Sequence, residues 1–210
     1  MSRPLRNLAI LVFSSAAALG LTNTASAAPE SLQQQIASTI AQYGGTQISA
    51  YEISWHDGDV IMAFPLPGEE KAPPSSAAAQ ELQRTAAQKE AARQGITISS
   101  VAQPTAATVG GCPTETLGND WYCFYQDDNY GNRRLLWNAE HLSNVYFSDY
   151  GFEDETSSWV NGGGKTIWVY DQTAGKPQGT GPRLWTENDH SHSTYVGDAN
   201  NDRANWFRTS

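Results

Sequence analysis

Apolar residues recur at two different spacings along this chain. In "PESLQQQIASTIAQY", Leu32, Ile36, Ile40 and Tyr43 fall three or four residues apart, the spacing of one face of a short helix, and Gly44-Gly45 stops it. "TQISAYEISW" and "VIMAFPLP" alternate instead and are joined across "HDGD". An Asp-Gly between alternating runs signals a hairpin. The pattern predicts a helix-plus-hairpin module over residues 28–66, too small to be very stable by itself. Residues 67–111 follow with "SSAAAQELQRTAAQKEAARQG", high in helix propensity and poor in large apolar side chains, then the Thr/Ala/Pro run "ITISSVAQPTAATVGG". They read as a solvated helix or spacer leading into a linker.

From residue 112 the period changes again. Two blocks, Trp121 to Asn161 and Thr166 to Ser210, can be laid over each other. Tyr125 matches Tyr170, 45 residues on; Trp137 matches Trp185 and Asp154 matches Asp202, each 48 on. Each block runs aromatic strand, polar turn, Leu-Trp strand, polar loop, aromatic strand, with no helical period. Two such repeats predict paired Greek keys packed as a sandwich over residues 112–210. Six of the seven tryptophans lie in this region, enough aromatic volume for the core of one small domain. They also suggest a carbohydrate or wall-binding surface if they prove exposed.

The first residues change the picture of where the chain works. Arg3 and Arg6, the apolar stretch Leu8 to Leu21 and the small-x-small site Ala25-Ser26-Ala27 read as an export signal over residues 1–27. A secreted chain starting at Ala28 is expected. Beyond the signal, no apolar run is long enough to cross a bilayer. Removing the signal's two arginines takes the net charge from −9 to −11. So acidic a chain is a poor nucleic-acid binder, because phosphate neutralisation needs clustered Lys and Arg. Export makes a disulfide between the two cysteines, Cys112 and Cys123, the expectation. A monomer is expected.

"CFYQDDNYGNRR" carries a more specific signal. Tyr125, four residues, Tyr130, then Gly131-Asn132 resembles the βγ-crystallin Greek-key motif, with Asn132 where the motif has its last glycine. Asparagine enters the left-handed region more readily than most residues. "GFEDETSSWV" is similar to the loop that closes that motif. The second block keeps Tyr170, but its "DQTAGKPQGTG" is longer and lacks the second aromatic. The resemblance implies an all-β fold, a βγ-crystallin-like double Greek-key sandwich preceded by the small helix-plus-hairpin module.

It also implies calcium. Microbial members bind it through an Asn/Asp-Asn/Asp-x-x-Ser/Thr-Ser pattern, one copy per Greek key. Here the copies are Glu153 to Ser158, offering Glu153, Asp154 and Ser157, and Asn201 to Trp206, offering Asn201, Asp202 and Asn205. Calcium takes six to eight oxygens, which carboxylates, a hydroxyl and backbone carbonyls from crossing loops can supply. The plainer reading makes Asp154 and Asp202 turn-formers that bond loop amides.

The chain as a whole is similar to a family of secreted actinobacterial metalloproteinase inhibitors, on "CFYQDDNYGNRR", "YGFEDETSSWVN", "LWTENDHSHSTYVGDANND" and the closing "FRTS". That resemblance implies a secreted metalloprotease as partner. The named inhibitors pin a reactive loop with a second disulfide, whereas this chain has no cysteine after Cys123, so their loop is not carried over. The long Gly/Pro-rich segment 171–181, centred on Lys176, Pro177, Gln178 and Gly179, is the candidate in its place. "QDDN" lacks the glycine and downstream glutamate of an EF-hand loop and reads as a hairpin turn. His190 and His192 are a lone His-x-His, weak as a zinc signal. There is no His-Glu-x-x-His, Gly-x-Ser-x-Gly or phosphate loop, and nothing in the sequence supports an enzyme.

Overall fold

A computed structural model describes residues 30–93, 95, 108–114, 121–138 and 141–210. The expected export signal and most of the linker before residue 108 lie outside the described residues.

Helix α1 (Leu32–Tyr43) opens on a capping box: Gln34 N–H donates to Ser31 Oγ at 3.3 Å and Ser31 N–H donates to Gln34 Oε1 at 2.9 Å. Its apolar stripe buries Ile36, with Leu32 and Ile40 beside it. The alternating run that follows is not one strand. β1 (Thr46–Gln47) folds back on β2 (Glu52–Trp55), pairing Thr46 with Ser54. The break falls at Ser49, whose hydroxyl bonds Glu52 Oε2 at 2.7 Å and accepts from Tyr51 N–H, a side chain competing with the ladder for the backbone.

The hairpin forms across "HDGD". β2 turns into β3 (Val60–Ala63) with Trp55 opposite Val60, and His56, Asp57 and Gly58 all take positive φ. Every residue of both strands is buried, because both faces are covered. Ile53, Trp55, Val60 and Met62 face the side that holds Ile36. Ile61 faces α2 (Ala77–Arg93), which contributes Ala79, Ala86 and the edge of Leu82. Small residues let α2 approach closely: a Cβ on Gly58, already at φ +99°, would lie 2.7 Å from Leu82 Cβ.

The hairpin does not stand apart from the repeats. After β4 (Thr108–Val109) and β5 (Cys112–Pro113), β6 (Tyr122–Asp127) and β7 (Gly131–Trp137) form the first repeat's hairpin, and β3 pairs along β7 from Ala63–Arg134 to Val60–Trp137. A Greek key leaves such an edge with unpaired N–H and C=O groups, and the N-terminal hairpin covers it. Asn129, Tyr130 and Asn132 all take positive φ at the β6–β7 turn, and Asn132 does so where the motif has glycine.

The remaining strands are β8 (Val145–Tyr146), β9 (Ser158–Asn161), β10 (Ile167–Tyr170), β11 (Arg183–Glu187), β12 (Ser191–Ser193) and β13 (Trp206–Thr209). They complete two sheets ordered β1-β2-β3-β7-β6-β9-β12 and β11-β10-β13-β8. The last four strands of the first match the second, strand for strand. Each repeat lends its third strand to the other's sheet: β8 pairs with β13, and β12 with β9. Backbone bonds repeat with the same symmetry. Ser157 N–H donates to Tyr125 O and Asn205 N–H to Tyr170 O; Phe147 N–H donates to Asn205 O and Val196 N–H to Ser157 O, all between 2.9 and 3.0 Å. This is the double Greek-key sandwich that the repeat predicts, with the all-β, βγ-crystallin-like fold that the motif resemblance implies.

Between the sheets Trp137, Tyr122, Phe124, Phe147 and Phe207 pack mostly edge to face, with centroids as near as 4.9 Å. Of the six tryptophans in the repeats, Trp121, Trp137, Trp159 and Trp206 are buried. Trp168 and Trp185 are half-buried, and Arg208 lies over Trp168. The expected disulfide joins Cys112 to Cys123 and so ties β5 to β6. Arg133 and Arg134 point to opposite faces. Arg134 is wholly buried and bonds the carbonyls of Gly110 and Pro73, fastening the chain on either side of α2 to the first sheet. Arg133 lies over Phe152 and pairs with Glu155 at 3.2 Å.

Candidate functional site

The symmetry brings the two closing loops face to face. Asp154 in the first and Asp202 in the second both take left-handed backbone, φ 56° and 54°. Between the loops and the β6–β7 turn opens a cleft of about 560 Å³. Asp127 and Asp128 come from the turn, Asp154, Glu155 and Ser157 from the first loop, and Asn201, Asp202 and Tyr195 from the second repeat. Among the described residues no basic side chain lines it, although Arg133 pairs with Glu155 at 3.2 Å.

Oxygen dominates this cleft. Ser157 Oγ donates its proton to the Gln126 carbonyl at 2.7 Å and keeps its lone pairs. Asn201 gives its amide hydrogen to Asp202 Oδ2 at 2.6 Å, while its own Oδ1 is buried with no hydrogen-bond partner. A buried acceptor left unpaired costs on the order of 1–3 kcal/mol unless something else satisfies it. The Asp154 carboxyl is held above the ordinary carboxylate range, first by burial and then by Glu153, Asp171 and Asp202; the Asn205 amide opposes the shift. A cation in the cleft would relieve this crowding of like charge. Among the described residues no three His, Cys, Asp or Glu side chains converge on one point. A cation here would therefore draw on hydroxyl, amide and backbone oxygens and on water as well as on carboxylates.

The six side chains expected from sequence mix between the two copies. Ser157 of the first copy shares the cleft with Asn201 and Asp202 of the second. Glu153 faces Asn205 instead, whose Nδ2 donates to Glu153 Oε1 at 3.0 Å and to Asp154 Oδ1 at 3.1 Å. Asn205 Oδ1 accepts from Gln172 N–H at 2.7 Å. Only this amide orientation puts donors against carboxylates and the acceptor against an N–H. Asn205 therefore acts as a hydrogen-bond donor toward the acids, not as the oxygen ligand expected of it. Asp127, Asp128 and Glu155 are additions to the expected set. "QDDN" is the hairpin turn it reads as, and its acids also border the cleft; their position after the first aromatic of the motif is the signal that could have marked them.

The candidate loop 171–181 is held from within. Gln172 Nε2 donates to the carbonyls of Thr173, Lys176 and Pro177, and its Oε1 accepts from Gly179 N–H at 2.9 Å. Lys176, Pro177 and Gln178 are exposed at its tip, and Gly179 is half-buried. At its root Arg203 pairs with Asp171. The two histidines have separate partners: His190 Nδ1 meets the Gly162 carbonyl at 3.0 Å, and His192 Nδ1 meets Tyr130 OH at 2.8 Å.

No protein-family model matches the chain, and no curated protein matches it. Solved βγ-crystallin structures do. The chain is similar to a structure described as "Evolution of the eye lens beta-gamma-crystallin domain fold", at 17% identity over 46% of this chain and 90% of that one, TM-score 0.37. It is similar to a βγ-crystallin domain from Clostridium beijerinckii at 24% identity, over 42% of this chain and 94% of that one, TM-score 0.34. It is also similar to a βγ-crystallin from Ciona intestinalis at 17% identity, over 43% and 99%, TM-score 0.34. The likeness to the metalloproteinase-inhibitor family finds no support in these comparisons.

Proposed function

We propose that the chain is a secreted calcium-binding Greek-key module, with its cation in the cleft between the two closing loops. The reading rests above all on Asn201 Oδ1, a buried acceptor without a partner beside Asp202, in a cleft lined by five carboxylates, of which Glu155 is paired with Arg133, and by no basic side chain among the described residues. A hard cation satisfies both the orphaned oxygen and the mutual repulsion of the acids. Binding to the folded state alone stabilises it by mass action, about 2.7 kcal/mol at a hundredfold excess over Kd. For a chain of this length that corresponds to a rise in Tm of roughly 5–10 °C. The test is a melt of the secreted chain in calcium and in chelator; an unchanged Tm contradicts the proposal.

The loop 171–181 favours a second reading, in which it is presented to a secreted metalloprotease. Its support is the Gln172 network, which stiffens an exposed loop without a disulfide and so lowers the ordering cost of binding. Titration against a panel of secreted metalloproteases tests this. No loss of protease activity at micromolar chain counts against it.

A further inference from the structure

We infer that the paired loops hold a single divalent cation, and that Asn205 is the residue that closes the second position. The inference rests on the proposed cation cleft and concerns its symmetry mate. The reciprocal backbone bonds make Ser157 and Asn205 equivalent, and with them the neighbours each one faces. In the first position Ser157 turns its proton away to the Gln126 carbonyl, and the facing Asn201 oxygen has no partner. In the second, Asn205 fills the same place with a longer side chain that is more than nine-tenths buried. Its amide gives one hydrogen to Glu153 and one to Asp154, the two acids equivalent to Asn201 and Asp202. Its oxygen is taken by Gln172 N–H. The acceptors a cation needs there already hold hydrogens, and Asn205 offers it no free lone pair in their direction. The neutral amide thus does at the second position what a cation does at the first: it bridges the loops and offsets the acids.

Calorimetric titration of the chelator-stripped secreted chain with calcium chloride tests this, beside Asn205→Ser, which copies Ser157, and Asn205→Asp, which keeps the acceptor for Gln172 and removes both donors. The expected result is about one equivalent bound by the unaltered chain and about two by each variant that still shows a cooperative melt. Two equivalents on the unaltered chain overturn the inference and leave the cleft standing. One equivalent on both the unaltered chain and the folded variants also overturns it. No binding to the unaltered chain overturns the cleft and this inference together.

Discussion

Asp154 and Asp202 hold each other's loops in place. Asp154 N–H donates to Ala204 O at 3.0 Å, and Asp202 N–H donates to Thr156 O at 3.4 Å, so each aspartate bonds the carbonyl two residues beyond the other. The bonds need both residues in left-handed backbone, which Asp tolerates and β-branched residues do not. The turn-former role and a ligand role are therefore compatible: the backbone N–H fixes the loop, and each carboxylate, which accepts one amide hydrogen from Asn205 or Asn201, still lines the cleft.

This fixes what substitution should do without any cation. In chelator, Asp154→Val is expected to cost on the order of 1–3 kcal/mol through backbone strain. Asp154→Asn, which enters the same region and keeps an oxygen for Asn205, is expected to be neutral or stabilising. Urea unfolding of both variants measures the difference. Equal stability would mean that the left-handed backbone at 154 imposes no strain.

The N-terminal hairpin shares a sheet with the first repeat, so damage to it should spread. Ile53 is wholly buried on β2 among the residues of the main core. Ile53→Ala is expected to cost about 2–4 kcal/mol. Hydrogen exchange at Ile167 to Tyr170, in the other sheet, should lose protection to the same extent as β2 if the chain unfolds as one unit. Loss confined to residues 46–63 would show that the hairpin opens separately.

Glu187 carries a pH dependence. It is fully buried on β11; Trp185 Nε1 donates to its Oε1 at 2.9 Å, and its Oε2 has no partner. Burial holds the carboxyl well above the ordinary range, with the Trp185 bond opposing. A carboxyl raised in the folded state binds its proton more tightly there than in the unfolded chain, where its pKa is about 4.3. Its burial therefore costs nothing extra below about pH 4, and stability falls as pH rises from there toward the folded value. Glu187→Gln should be more stable than the unaltered chain by on the order of 2 kcal/mol at pH 8, with the gap closing toward pH 4. Denaturant unfolding across that range checks it, and a gap that does not change with pH contradicts it.

Much of this could be read from the sequence because it is local. The Gly44-Gly45 stop of α1, the Asp-Gly turn and the spacing of Tyr125, Tyr130 and Gly131 each act within a few residues of themselves. The repeat offset of 48 also located Asp154 and Asp202 as equivalents. What was not legible depends on contacts across the chain. Nothing in "VIMAFP" states that β3 will lie along β7, since strand pairing at that distance leaves no periodic mark. The cleft was hidden for the same reason. The pattern assigns side chains loop by loop and leaves only backbone carbonyls to the crossing loops, whereas the sandwich lines one cleft with Ser157, Asn201 and Asp202 and sets Asn205 against Glu153. The longer Asn205 side chain was visible in the sequence, but which groups it would meet was not.

The most direct measurement is a crystal structure of the chain grown in millimolar calcium, with the ion identified by its anomalous scattering. The cleft account predicts an ion between Ser157 and Asp202, coordinated by oxygens at about 2.3–2.6 Å, with Asn201 Oδ1 satisfied at last. A cleft without an ion at that calcium concentration, or an ion bound elsewhere on the chain, would contradict it.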